Sequence, residues 1–143
     1  MGKTRWTLRA ASGVAVLFGL LTVVSGGRAL FGTPEMRAAV GDAVPFVLWF
    51  NFLAGFAYVA AGFGLFVVRS WAVRLSGAIL VATLLIMVAF WVHVAFGGAY
   101  EVRTAGALGL RTAVWAIIVA VGLRTWKNTG ADAGRTPAEA PDA

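Results

Sequence analysis

The chain has no cysteine and a single histidine, His93. The first absence removes disulfides, thiolate metal sites, iron–sulfur clusters and thiol redox chemistry, and it leaves the redox compartment open. With one histidine, a two-histidine metal or haem site would need a second subunit. Charge is also scarce: 13% of the residues are charged, where a soluble domain has about 25%. None of the six acidic residues falls inside a long apolar run. The sequence therefore points to no catalytic residue, no metal site and no resident cofactor, and away from an enzyme.

What the chain has instead is apolar length. It is 60% hydrophobic with a mean hydropathy of +0.85, against roughly 45–50% apolar residues in soluble domains. The bilayer is its expected solvent. A net charge of +6 would suggest nucleic acid in a soluble protein. Here the basic residues sit at the ends of apolar runs and no soluble module presents them as a patch. Anionic lipid headgroups are the expected partner, and nucleic acid is not.

Four apolar runs cover residues 8–28, 44–68, 72–96 and 105–124. Each is close to or above the ~20 residues that a membrane helix needs, and each is apolar all round. The connections are short, which forces neighbouring helices antiparallel. The predicted fold is all-α, an integral membrane antiparallel four-helix bundle. A closed β-barrel is excluded by too few segments and by the lack of period-two alternation. The basic start and first run have the form of a signal peptide, but Ser25-Gly26-Gly27-Arg28 is a poor cleavage site, so the run is expected to be retained as a span.

Between the first two spans, Thr33-Pro34-Glu35 reads as an N-cap, a proline in the first turn and an acid favoured by the helix dipole. A short interfacial helix over 34–40 follows, stopped by Gly41. Asp42 is placed to cap the second span, and Gly97-Gly98 to end the third. Residues 128–143 have almost no large apolar side chain and are expected to be a disordered cytoplasmic tail.

Lys3, Arg5, Arg9, Arg69, Arg74, Arg124 and Lys127 flank the spans on one side, without acids nearby. The other side mixes Arg28, Arg37 and Arg103 with Glu35, Asp42 and Glu101. The positive-inside rule then puts both termini in the cytoplasm, as a multi-pass protein of the cell (inner) membrane. Trp6, Trp71 and Trp126 fall at the inner interface, Trp49 and Trp91 near the outer one.

Three spans carry one strongly polar residue each into the same layer. At 1.5 Å per residue, His93 lies roughly 5 Å and Asn51 and Arg111 roughly 9 Å in from the outer boundary. Helical phase groups Asn51, Gly55, Tyr58 and Gly62; Ala82, Ile86, Ala89 and His93; Thr104, Leu108, Arg111, Trp115 and Ile118; and Ser12, Ala15, Gly19, Thr22 and Gly26. These stripes are expected to face inward, because small residues let helices approach. A guanidinium at the membrane centre costs about 2.5–3.5 kcal/mol on insertion scales. Arg111 is therefore expected to pair with Glu101, with His93 alongside, or to snorkel to headgroups. Each residue also has a plainer role: Asn51 as helix glue, His93 as an interhelical hydrogen-bond partner, Tyr58 as core. The candidate polar pocket is Asn51, His93, Tyr100, Glu101, Arg103 and Arg111.

The layout resembles the DoxX-like group of small four-helix membrane proteins over roughly residues 13 to 125. The likeness lies in the end of span one, Leu20 to Gly32, in the loop with Gly32-Thr33-Pro34, in the Gly- and Ala-rich Asn51 to Leu65, and in the basic turn Arg69 to Arg74. The group often has an arginine early in span one and a glutamate starting span two. This chain has neither, and Asn51 stands where an acid is expected. The resemblance implies a membrane partner of redox or sulfur-handling proteins and names no catalytic residue. From the residues themselves the expected function is non-enzymatic: an outer-leaflet pocket for a small amphiphile, a quinone-like molecule or a membrane partner protein. The alternatives are a small dimeric transporter or channel using His93 and Arg111, and an enzyme with His93 as base.

Overall fold

A computed structural model describes the backbone of residues 2–133 and the side chains of residues 6–127. These residues are all-helical: α1 Gly2–Phe31, α2 Pro34–Ala38, α3 Pro45–Phe66, α4 Ser70–Ala95 and α5 Val102–Ala133. Four of the helices are long and apolar enough to cross a membrane.

Local chemistry sets the helix ends. Thr33 caps α2, its hydroxyl accepting from the Met36 N–H, and Pro34 occupies the first turn. The Thr33 side chain and the Glu35 backbone hold the Glu35 carboxyl below its ordinary value. Gly41 follows at φ +60°, a left-handed conformation that suits glycine. α4 ends in a Schellman turn: Gly97 is left-handed at φ +81°, with Gly98 N–H donating to His93 O and Gly97 N–H to Val94 O. α3 ends in the same way, but there the left-handed position is held by Val68, at φ +55°.

The bounds differ from expectation in three places. Asp42 does not cap α3; Val44 is the cap residue and has no side-chain capping bond. Asp42 stands two residues upstream of it, and the preset φ of Pro45 starts the helix instead. α5 begins at Val102 rather than near residue 105, so Arg103 and Thr104 belong to its first turn. Its far end carries on to Ala133, since propagating an existing helix adds a hydrogen bond for each residue fixed. The tail expected to lack structure is thus helical over 128–133, and residues 134–143 lie outside the described residues.

The four long helices pack in a ring, α1 on α3, α3 on α4, α4 on α5, and α5 back on α1, the last contact being the sparsest. Partner numbers rise along one helix as they fall along its neighbour. On α1 and α3, Gly62 meets Ser12 and Val16, Gly55 meets Gly19 and Val23, and Phe52 meets Gly26. On α3 and α4, Gly64 meets Ala72 and Phe46 meets His93. Gly122 on α5 meets Val73 on α4.

The α1 stripe Ser12, Ala15, Gly19, Thr22 and Gly26 is buried throughout, as its small-residue pattern predicts. So are Leu108, Arg111, Trp115 and Ile118 on α5. On α4 the inward stripe is Ala72, Ser76, Ile79, Thr83 and Phe90, not the one ending in His93, of which Ala89 is exposed. Ser76 and Thr83 enter the core because their hydroxyls donate to Ala72 O and Ile79 O, each at 2.8 Å. Their polarity is satisfied within the helix.

Candidate functional site

The core forms two clusters. One runs from the terminal end of the ring to its middle and draws on all four long helices: Leu8 and Ala15, Tyr58 and Leu65, Ala72 and Ile79, Trp115 and Ile118. The other, at the end that carries α2, consists of Val44, Val47, Phe90 and Leu108. The second cluster has no contribution from α1. Where α1 would complete it, the structure has a cavity of about 360 Å³.

That cavity lies on the seam between α1 and α5. Ser25, Gly26 and Ala29 line it from α1, and Thr104, Ala107 and Arg111 from α5. Leu48 and Asn51 of α3 form its back wall; Ala39, Val40, Glu101 and Arg103 form its rim. Four of the six expected pocket residues are therefore brought together: Asn51, Glu101, Arg103 and Arg111. Ser25 of α1 joins them.

Arg111 is the centre of the site. It is 9% exposed, and its Nε and Nη1 are buried without a hydrogen-bond partner. Behind the guanidinium are aromatic rings. Its carbon lies 6.0 Å from the Phe18 ring centroid, within cation–π range. Phe18 stacks on Tyr58 at 6.0 Å, and Tyr58 meets Trp115 at 4.8 Å. Tyr58 and Trp115 are fully buried, and Tyr58 Oη and Trp115 Nε1 have no partner. Asn51 Oδ1 is the fifth such atom. Buried polar atoms almost always find partners; Asn51 and Arg111 carry three of these five, and both residues line the cavity.

The expected Arg111–Glu101 pair does not form. Glu101 lies 3.9 Å from Arg103 Nε at the rim, with Glu101 30% and Arg103 79% exposed. The reason is helical rise. α5 starts immediately after Glu101, so Arg111 is ten residues further along, roughly 15 Å at 1.5 Å per residue. The Glu101 carboxylate instead lies over Gly41, where any β-carbon would collide with it. A rim ion pair this exposed contributes little, on the order of 0–1 kcal/mol.

His93 and Tyr100 are not part of the cavity lining. His93 Nε2 is 3.2 Å from Ala99 O. A carbonyl only accepts, so this nitrogen carries the proton. The ring covers Gly98, leaving no room there for a β-carbon, and meets Phe46 edge-on at 6.2 Å. His93 thus fastens the turn after α4. Tyr100 packs edge-on against Phe90 at 5.7 Å and also belongs to this turn.

Sequence reasoning put Trp115 on one inward stripe with Arg111 and placed Tyr58 in the core, but it did not bring Tyr58 beside the arginine, and it passed over Phe18. One signal pointed to Trp115. Five of the six tryptophans fall near span ends, and those five are exposed, at 41% or more. The sixth is mid-span, one helical turn from Arg111. No family model matches the chain, and neither the curated proteins nor the solved structures give a match.

Proposed function

We propose that the chain is a multi-pass protein of the cell (inner) membrane, an antiparallel four-helix bundle with both termini in the cytoplasm. Its outward-facing pocket binds a small amphiphile, and it performs no chemistry on it. The four long apolar helices support the membrane assignment. The opposed numbering of the packed pairs supports the antiparallel arrangement. The acid-free basic flanks at the terminal end support the orientation.

One observation carries the binding function: a buried, unpartnered Arg111 on the wall of a cavity otherwise lined largely by small and apolar side chains. Apolar walls with a few convergent polar groups are the usual composition of a small-molecule site. Below Arg111 the space is filled by Tyr58, Trp115, Ile118 and Leu65. A site closed underneath in this way suits binding better than passage, which favours a receptor or a ligand-dependent membrane partner over a channel.

Native mass spectrometry of the protein purified in a neutral detergent tests this. The expected result is a retained small amphiphile on the wild type and its loss from Arg111→Ala and from Ala107→Trp, which fills the cavity. A wild type that flies without any adduct, and yields none on solvent extraction, would remove the reading.

A further inference from the structure

Resting on that pocket reading, we infer that the group received by Arg111 is an anionic oxygen group, a carboxylate or a phosphate monoester, rather than a neutral polar head. Charge comes first. Among the described residues the one ion pair joins Arg103 to Glu101 at the rim. Glu35 and Asp42 are exposed at the same end. No carboxylate neutralises the guanidinium.

Direction comes second. The guanidinium lies over the Phe18 ring, which stacks on Tyr58, and Tyr58 in turn packs on Trp115. Phe18 and Trp115 have no conventional acceptor, and the Tyr58 hydroxyl, which has Thr83 and Trp115 as neighbours, is a neutral one that leaves the charge uncompensated. The open side is the cavity, which Arg111 lines with Asn51, Ser25 and Thr104. An acceptor that also compensates the charge therefore arrives through the cavity. A neutral carbonyl or hydroxyl satisfies one N–H and leaves the charge uncompensated, whereas an anionic oxygen group does both, and its hydrogen bonds to guanidinium are the stronger kind. The Thr104 hydroxyl can donate to the same group, and the Ser25 hydroxyl can do so by leaving the Thr22 carbonyl, to which it donates at 3.3 Å. Asn51 can do so as well, with its amide turned over, since its oxygen and nitrogen positions are an assignment.

The same chemistry is available from a lipid-borne headgroup in the bilayer and from a dissolved anion. Calorimetric titration in dodecyl maltoside, at about pH 8.5 with empty-micelle subtraction, separates these sources with three probes. Oleate has the head and the chain, oleyl alcohol the same chain with a neutral head, and acetate the head alone. The inference expects oleate to bind the wild type at least tenfold more tightly than oleyl alcohol. That preference should fall below about threefold in Arg111→Gln and persist in Arg37→Gln, which removes an equal charge from exposed α2. Acetate binding within tenfold of oleate assigns the site to dissolved anions; weaker acetate binding assigns it to bilayer anions.

If Arg111→Gln does not fold, Ala107→Trp serves, losing oleate binding while keeping every charge. Equal binding of oleate and oleyl alcohol to the wild type overturns the inference and leaves the pocket standing. A preference unchanged in both Arg111→Gln and Ala107→Trp also overturns it. Failure of all three probes to bind, with no co-purified amphiphile, overturns the pocket reading as well.

Discussion

An uncompensated guanidinium packed against aromatic rings destabilises the protein that carries it. Replacing Arg111 by Met keeps the bulk and removes the charge. Arg111→Met is expected to raise the stability of the ligand-free protein by about 1–3 kcal/mol, the scale of insertion penalties and of buried-charge replacements. Thermal unfolding in neutral detergent checks this, and the same variant should lose amphiphile binding. A lower melting temperature would instead make Arg111 a packing residue. Its singular position was legible in the sequence because it is the only charge deep in an apolar run, and it is buried. The role of His93 was not. A lone histidine attracts attention as chemistry, but its partner here is the Ala99 carbonyl, and backbone carbonyls carry no residue identity. The partner of Glu101 was obscured by a boundary: three residues more of helix at the start of α5 separate it from Arg111 and leave Arg103 as its neighbour.

Among the elements, α1 and α3 make the closest approach. A β-carbon on Gly19 would stand 2.8 Å from the Gly55 carbonyl oxygen, a rigid backbone atom, whereas Gly13, earlier on the same helix, meets nothing within 4 Å. Gly19→Val is expected to cost about 1–3 kcal/mol as overpacking. Gly13→Ala should be neutral or stabilise by up to about 1 kcal/mol through helix propensity. Denaturant titrations of the two variants side by side test the α1–α3 interface; equal effects would mean that it is misplaced. The α3–α4 turn holds the opposite case. Val68, a β-branched residue, has a positive φ, a position natural to glycine. Val68→Gly is expected to stabilise by about 1 kcal/mol in the same assay. Small-residue spacing made the α1 face readable, since only that stripe permits close approach. The α4 face was misjudged because its polar residues divide otherwise: Ser76 and Thr83 satisfy themselves on the preceding turn and go inward, while His93 serves the turn after the helix.

For the molecule as a whole, the four long apolar helices were legible because four runs of this hydropathy have few alternatives. The cavity was not, since it depends on α1 and α5 meeting less closely than the other pairs, a relation between helices that sequence spacing does not encode. The lack of cysteine makes topology directly measurable by single introduced thiols. With an impermeant maleimide on intact cells, Ala38→Cys on exposed α2 should label. Ser70→Cys, at the start of α4, should label only after permeabilisation. The reverse pattern would invert the orientation, and equal labelling of both would remove the membrane crossing. One feature of the ring governs how its cavity can be reached. Residues 32–44 tether α1 to α3, residues 67–69 tether α3 to α4, and residues 96–101 tether α4 to α5. Among the described residues no loop tethers α5 to α1. The molecule is a strip of successive hairpins rolled until its two free edges touch, and the cavity lies along the one line where parting the helices stretches no loop.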